Sequence, residues 1–240
     1  MRGLGTDEDG LIDVLCKRPV AHRMEIVKVY KTNYGKDLIK DVKGETDGNF
    51  RDLLVALMTP TSEYLTDELH SGLSGIGTDI EPLLDIMPTL TNYQMHEVSS
   101  LYKTKYGKTL EEKLQSDLSG GIRRLMVSLA NGNRDESMMT NTQLAISDAN
   151  VLKSTIVVGE NEEIAVNQIL CQRNYDQIKL INQEYMKLTG HQLDDDIKDK
   201  FSGDLARGLK SVLRYAINRP AFFAYVYTKL WLESEPITSR

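Results

Sequence analysis

A chain of 240 residues, 40% hydrophobic and 27% charged, has the make-up of a globular protein with a sizeable core. Its formal net charge of −6 argues against simple electrostatic attraction to nucleic acid or to an anionic bilayer. No stretch approaches the roughly 20 apolar residues of a membrane-spanning helix, and the opening Met1-Arg2-Gly3-Leu4-Gly5-Thr6-Asp7-Glu8 lacks the apolar core of a signal peptide, so a cytoplasmic protein is expected.

In chain order, Gly3-Leu4-Gly5 leads into Thr6, which reads as the N-cap of a helix burying Leu11, Ile12, Val14 and Leu15. A second helix carries Met24, Ile26, Val27 and Tyr30 and ends at Gly35. After Glu45-Thr46-Asp47-Gly48 comes a helix with Phe50, Leu53, Leu54 and Leu57, then a short one with Tyr64, Leu65, Glu68 and Leu69. A second glycine loop, Gly75-Ile76-Gly77, is followed by Thr78, again an expected N-cap, and by Leu83, Leu84, Ile86 and Met87. Ile122, Leu125, Met126 and Leu129 form a further helical face, Asn131 to Ser137 reads as a polar linker, and Leu205, Leu209 and Val212 repeat the helical spacing. Alternating strand patterns are scarce, which predicts an all-α fold.

The elements recur at fixed offsets. Gly3-Leu4-Gly5-Thr6-Asp7, Tyr30-Lys31-Thr32-Asn33-Tyr34-Gly35 and Glu45-Thr46-Asp47-Gly48 each return 72 positions later, as Gly75-Ile76-Gly77-Thr78-Asp79, Tyr102-Lys103-Thr104-Lys105-Tyr106-Gly107 and Asp117-Leu118-Ser119-Gly120. A more divergent third copy follows the second by 83 positions, with Tyr185, Gly190, Ser202 and Gly203 in register. One offset shared by three separated segments marks an internal repeat of about five helices per unit. Cys16 and Cys171 fall at equivalent points of two copies, so both are expected to be unpaired, small buried groups in a reducing compartment.

A glycine loop between helices can turn successive carbonyl oxygens toward one point. In the first two copies an acid stands 40 positions beyond the second glycine, Glu45 after Gly5 and Asp117 after Gly77. Carbonyls with one carboxylate suit calcium, a hard cation that takes several oxygens. A plain helix–helix turn is the alternative for either loop alone. Neither loop is followed by the Gly-Lys-Ser/Thr of a phosphate loop, and no Asp-rich EF-hand run occurs. His22, His70, His96 and His191 lack zinc-ligand spacing and read as surface or capping residues. Asp194-Asp195-Asp196 reads as a solvated helix start. No constellation for nucleophilic or acid–base catalysis stands out, so an enzyme is not expected.

The paired Gly-x-Gly-Thr loops with their distant acids, the Tyr-x-x-x-Tyr-Gly helix ends and Asn133-Arg134-Asp135 resemble annexin repeats over nearly the whole chain. The resemblance implies five-helix repeats packed into a slightly curved disc. It implies one calcium site from the carbonyls of Met1, Gly3 and Gly5 with Glu45, and another from those of Leu73, Gly75 and Gly77 with Asp117. A lipid phosphate oxygen would complete each calcium shell, so that calcium bridges the acidic protein to anionic phospholipid membranes when calcium rises. In the third copy Glu160 replaces the glycine and Lys200 the acid, so no such site is expected there, and a Lys200–Glu160 ion pair is a possible substitute. The expected organisation is a repeat lacking its first helix (1–60), a full repeat (61–130), a linker (131–142), a repeat with a degenerate site (143–218), the leading helix of a fourth repeat (219–231) and a polar tail (232–240). A calcium-independent helical scaffold is the alternative function.

Overall fold

The computed structural model describes residues 6–75, 77–158 and 162–234. Among these, fifteen α-helices account for the fold and no strand occurs, as the sequence predicts. The chain divides into two compact units, 1–67 and 68–240.

The first unit contains α1 (Glu8–Leu15), α2 (Val20–Tyr34), α3 (Leu38–Glu45), α4 (Gly48–Leu57) and the start of α5 (Thr61–Leu73). Its core is built from Leu15, Leu38, Val42, Leu54 and Met58, with Leu11, Ile26, Val27, Tyr30, Ile39, Phe50 and Leu57 packed around them. The predicted apolar faces are too wide. Ile12, Val14 and Leu53 are exposed. An eight-residue helix such as α1 turns only a narrow stripe inward, and here that stripe is fully closed only at Leu15. Asp7, not Thr6, caps α1, its carboxylate accepting the Gly10 N–H at 2.9 Å.

The second unit holds α6 (Glu81–Ile86) with a 3-10 turn (Met87–Thr89), α7 (Asn92–Tyr106), α8 (Leu110–Asp117), α9 (Gly120–Ala130), α10 (Thr142–Lys153) running into a π-helical turn (Ser154–Val158), α11 (Glu162–Gln172), α12 (Tyr175–Thr189), α13 (Leu193–Lys200), α14 (Gly203–Ile217) and α15 (Arg219–Ser234). With α5, that gives five helices to the second copy of the sequence pattern and five to the third. The internal register carries into the core. Val42, Leu114 and Ile197 occupy one repeat position, and all three are fully buried. Helices α2, α7 and α12 each stop on a left-handed glycine, Gly35, Gly107 and Gly190.

Several polar features are more structured than their sequence suggests. Arg134, in the polar stretch after α9, is buried, donates to the carbonyls of Leu170 (2.8 Å) and Arg173 (2.7 Å), and lies over the Tyr175 ring at 4.3 Å. Asp194 and Asp196 are not a solvated face. Asp194 takes a two-point contact from Arg214 and Asp196 accepts the Tyr185 hydroxyl at 2.7 Å, because α14 and α12 bring those donors over the start of α13. Helix α15 is anchored by Phe222 against Tyr215 and by Lys229, which reaches Glu81 (2.6 Å) and Asp85 (2.7 Å) on α6. Both cysteines are free, but only Cys171 is buried and Cys16 is exposed, since α1 has just one closed position in its last turn. Among the described residues no helix is long and apolar enough to cross a membrane.

Candidate metal sites

Helices α3, α8 and α13 are each eight residues long, and their last residues are Glu45, Asp117 and Lys200. In every case the chain then turns extended, and the next helix opens on a left-handed glycine: Gly48 at φ 54°, Gly120 at 59° and Gly203 at 58°. A side chain at these positions would be strained, which is why the turn after the acid always ends in glycine. The acid thus sits at a helix C-terminus, where unpaired carbonyls already favour a positive charge.

The glycine loops reach these acids through threonine. Thr6 donates its hydroxyl to the Glu45 carbonyl at 2.6 Å, and Thr78 reaches the Asp117 carbonyl at 3.5 Å, the limit of a hydrogen bond. The expectation that both threonines cap the following helix is therefore overturned. Each hydroxyl is used across 39 residues of chain, and the residue after it, Asp7 or Asp79, serves the local turn instead. Gly77 precedes Thr78 and adopts φ 90°, and the Asp79 N–H returns to the Gly72 carbonyl at 2.9 Å, closing the second loop. Leu73, Gly75 and Gly77 thus fall between Gly72 and Asp79, and Thr78 beside them approaches Asp117. For the first site, Glu45 is exposed at the end of α3, whereas Met1, Gly3 and Gly5 lie outside the described residues. Glu160 also lies outside them, so the Lys200–Glu160 pairing has no structural counterpart to report; Lys200 is exposed.

Asp117 is the best-defined of the acids. One carboxylate oxygen receives the Lys113 ammonium at 2.7 Å, and the other receives the Ser116 hydroxyl at 2.7 Å. Burial alone would raise its pKa, but the hydrogen bonds from Lys113 and Ser116, helped by the charges of Lys113 and Lys108, outweigh it and hold the carboxyl below its usual range. The group is an anion at neutral pH. His70, expected to be a surface or capping residue, is half-buried. Its ring stacks on Tyr106 at 3.5 Å, with one nitrogen 3.0 Å from the Tyr102 hydroxyl and the other 3.0 Å from the Ser74 hydroxyl in the loop. Sequence reasoning missed Lys113, Ser74 and His70 as neighbours of the second site. Lys113 alone left a signal there, since it stands in register with Asp41 and Asp196.

The donor set expected at the second loop, the main-chain carbonyls of Leu73, Gly75 and Gly77 and the Asp117 carboxylate, would offer oxygen only. Among the described residues no group of three or more His, Cys, Asp or Glu side chains is placed to hold a metal ion. Such a set fits a hard cation that accepts carbonyl ligands, and it does not fit a zinc centre.

The annexin family model matches residues 1–57, 64–129 and 147–212. The chain belongs to the annexin family. Among curated relatives, it is 39% identical over 228 residues to annexin A7 of Homo sapiens, covering 93% of this chain and 46% of the relative. It is also 39% identical over 228 residues to annexin A3 of Bos taurus, covering 93% of this chain and 70% of that protein. It therefore spans about half the length of annexin A7 and more of annexin A3. Its fold matches the solved structure of annexin III with a TM-score of 0.91 at 35% identity, covering all of this chain and 74% of that one. A calcium-bound annexin (Sm)1 matches with a TM-score of 0.85 at 29% identity, covering 95% of this chain and 69% of that one. The annexin family is known for calcium-dependent phospholipid binding.

Proposed function

We propose that this annexin binds anionic phospholipid membranes through calcium held at its first two repeats. The second-repeat site would draw on the carbonyls of Leu73, Gly75 and Gly77 and the carboxylate of Asp117. The first would draw on those of Met1, Gly3 and Gly5 with Glu45. The observation that carries this reading is the threonine tether. In each of the two repeats that keep an acid, a hydroxyl at the end of the glycine loop joins the backbone of that acid from 39 residues away. A helix–helix turn has no need of such a contact. Such a contact would keep the loop's carbonyl oxygens near an anion at the negative end of a helix. When bound there, calcium supplies the positive charge that a protein of net charge −6 needs in order to meet an anionic lipid phosphate. Lys200 leaves the third repeat without a carboxylate at this point, so it takes no part.

Sedimentation with phosphatidylserine vesicles across a calcium titration tests the reading. Wild-type protein should pellet with calcium and be released by chelation, and Asp117→Ala should require at least about tenfold more calcium, the scale of losing a charged ligand. Failure of folded protein to pellet at millimolar calcium would instead make the chain a helical scaffold without lipid binding.

A further inference from the structure

The residue four places before the acid differs in sign among the repeats: Asp41 in the first, Lys113 in the second and Asp196 in the third. Asp41 and Asp196 have the same job. Each accepts a tyrosine hydroxyl from the preceding long helix, Tyr30 at 2.8 Å and Tyr185 at 2.7 Å. In the second repeat the equivalent tyrosine, Tyr102, is paired with His70 instead, which leaves position 113 free to change. The lysine there runs along α8 to the Asp117 carboxylate.

We propose, resting on the calcium reading above, that Lys113 is a tethered competitor for the metal at Asp117 and sets the calcium concentration at which the second repeat engages. An exposed lysine four residues from an aspartate is ordinarily a solvent-screened contact of little consequence. This pair differs in three respects. Its side chains are only 24% and 19% exposed. Its carboxylate belongs to Asp117, the last residue of α8, where the helix dipole favours a positive charge. And Lys113 and Ser116 engage both carboxylate oxygens, so a dication that takes this carboxylate must first displace the ammonium and then tolerate its charge nearby. In the first repeat the corresponding position is Asp41, not a cation. Its Glu45 is preceded by a carboxylate already committed to Tyr30.

The test is calcium binding by titration calorimetry without lipid, on the full chain carrying Glu45→Gln so that only the second repeat is read. Lys113→Met and Lys113→Gln are compared with Lys113, each with and without Asp117→Asn, after circular dichroism shows native helix content. Both lysine variants should lower the dissociation constant about tenfold, the scale of removing a unit charge about 5 Å from a dication in water, and Asp117→Asn should abolish binding in every background. An unchanged or larger dissociation constant in both variants, with Asp117→Asn still abolishing binding, overturns the competitor and leaves the site standing. Binding that survives Asp117→Asn, or no binding in any variant, sinks the site reading itself and the competitor with it.

Discussion

The first and second repeats end their third and fourth helices, respectively α3 and α8, on an acid, turn the chain through the same left-handed glycine, and tie the acid's carbonyl to a threonine. Their electrostatic surroundings differ sharply. Glu45 is exposed and follows Asp41, whereas Asp117 is largely covered and carries Lys113 and Ser116 on its two oxygens. The backbone is thus common to both, and the difference lies in a few side chains laid over it. The two proposed sites are expected to respond to calcium at different concentrations.

The shared part should be the costlier to damage. Val42 and Leu114 sit at one repeat position, three residues before the acid, and neither is accessible to solvent. Leu114→Ala should lower stability by about 2–5 kcal/mol, the usual cost of emptying a leucine site in a packed core, and Val42→Ala by less because fewer carbons are lost. Urea unfolding of each variant measures this. Equal small effects would mean that the acid turns are not supported by these positions.

Transplanting the difference is the next largest test. Asp41→Lys places an ammonium four residues before Glu45, and Asp41→Asn controls for the lost Tyr30 contact. With the second repeat silenced by Asp117→Asn, calcium binding at Glu45 should be about tenfold weaker in Asp41→Lys than in Asp41→Asn. Equal affinities would show that a lysine at this position does not reach the acid. A smaller effect is expected from the tethers. Thr6→Val removes a 2.6 Å hydrogen bond and Thr78→Val one at 3.5 Å, so the first should cost about 1 kcal/mol and the second less. Thermal unfolding of the two variants decides the order.

The all-helical fold and the repeat were legible because each rests on spacing, and spacing survives in a string of letters. Gly35 and Gly107 end their helices as their position after Tyr-x-x-x-Tyr predicts, and Gly190 does the same after Tyr185 and Thr189. What failed were decisions between two partners for one group. Thr6 and Thr78 are good N-cap residues, yet a neighbouring aspartate can serve the local turn, which frees the hydroxyl for a distant carbonyl. Asp194 and Asp196 look solvated until α12 and α14 are folded over them. Lys113 could have been noticed from its register with Asp41, but its contact with Asp117 depends on Tyr102 having turned to His70, which no spacing reveals.

Cys16 and Cys171 give the comparison its mildest test, since they occupy one repeat position in the first and third repeats and differ only in surroundings. Cys16 is exposed, while burial pushes the Cys171 thiol up to about 12, against a smaller opposing pull from Arg134. At pH 8 a thiol reagent should therefore modify Cys16 promptly and leave Cys171 untouched until the chain unfolds, because the reacting species is the thiolate and the buried group does not form it. The same shift fixes a sign for stability. Below the ordinary thiol range both folded and unfolded chains keep the Cys171 proton. As pH rises from about 9 toward 12 the unfolded chain releases it while the folded chain retains it, so this contribution to stability is lost over that interval. Cys171→Ala should flatten the alkaline fall in stability slightly, and Cys16→Ala should not. If both thiols react alike in the native protein, the third repeat does not close over its cysteine and the contrast between the two copies fails at this position.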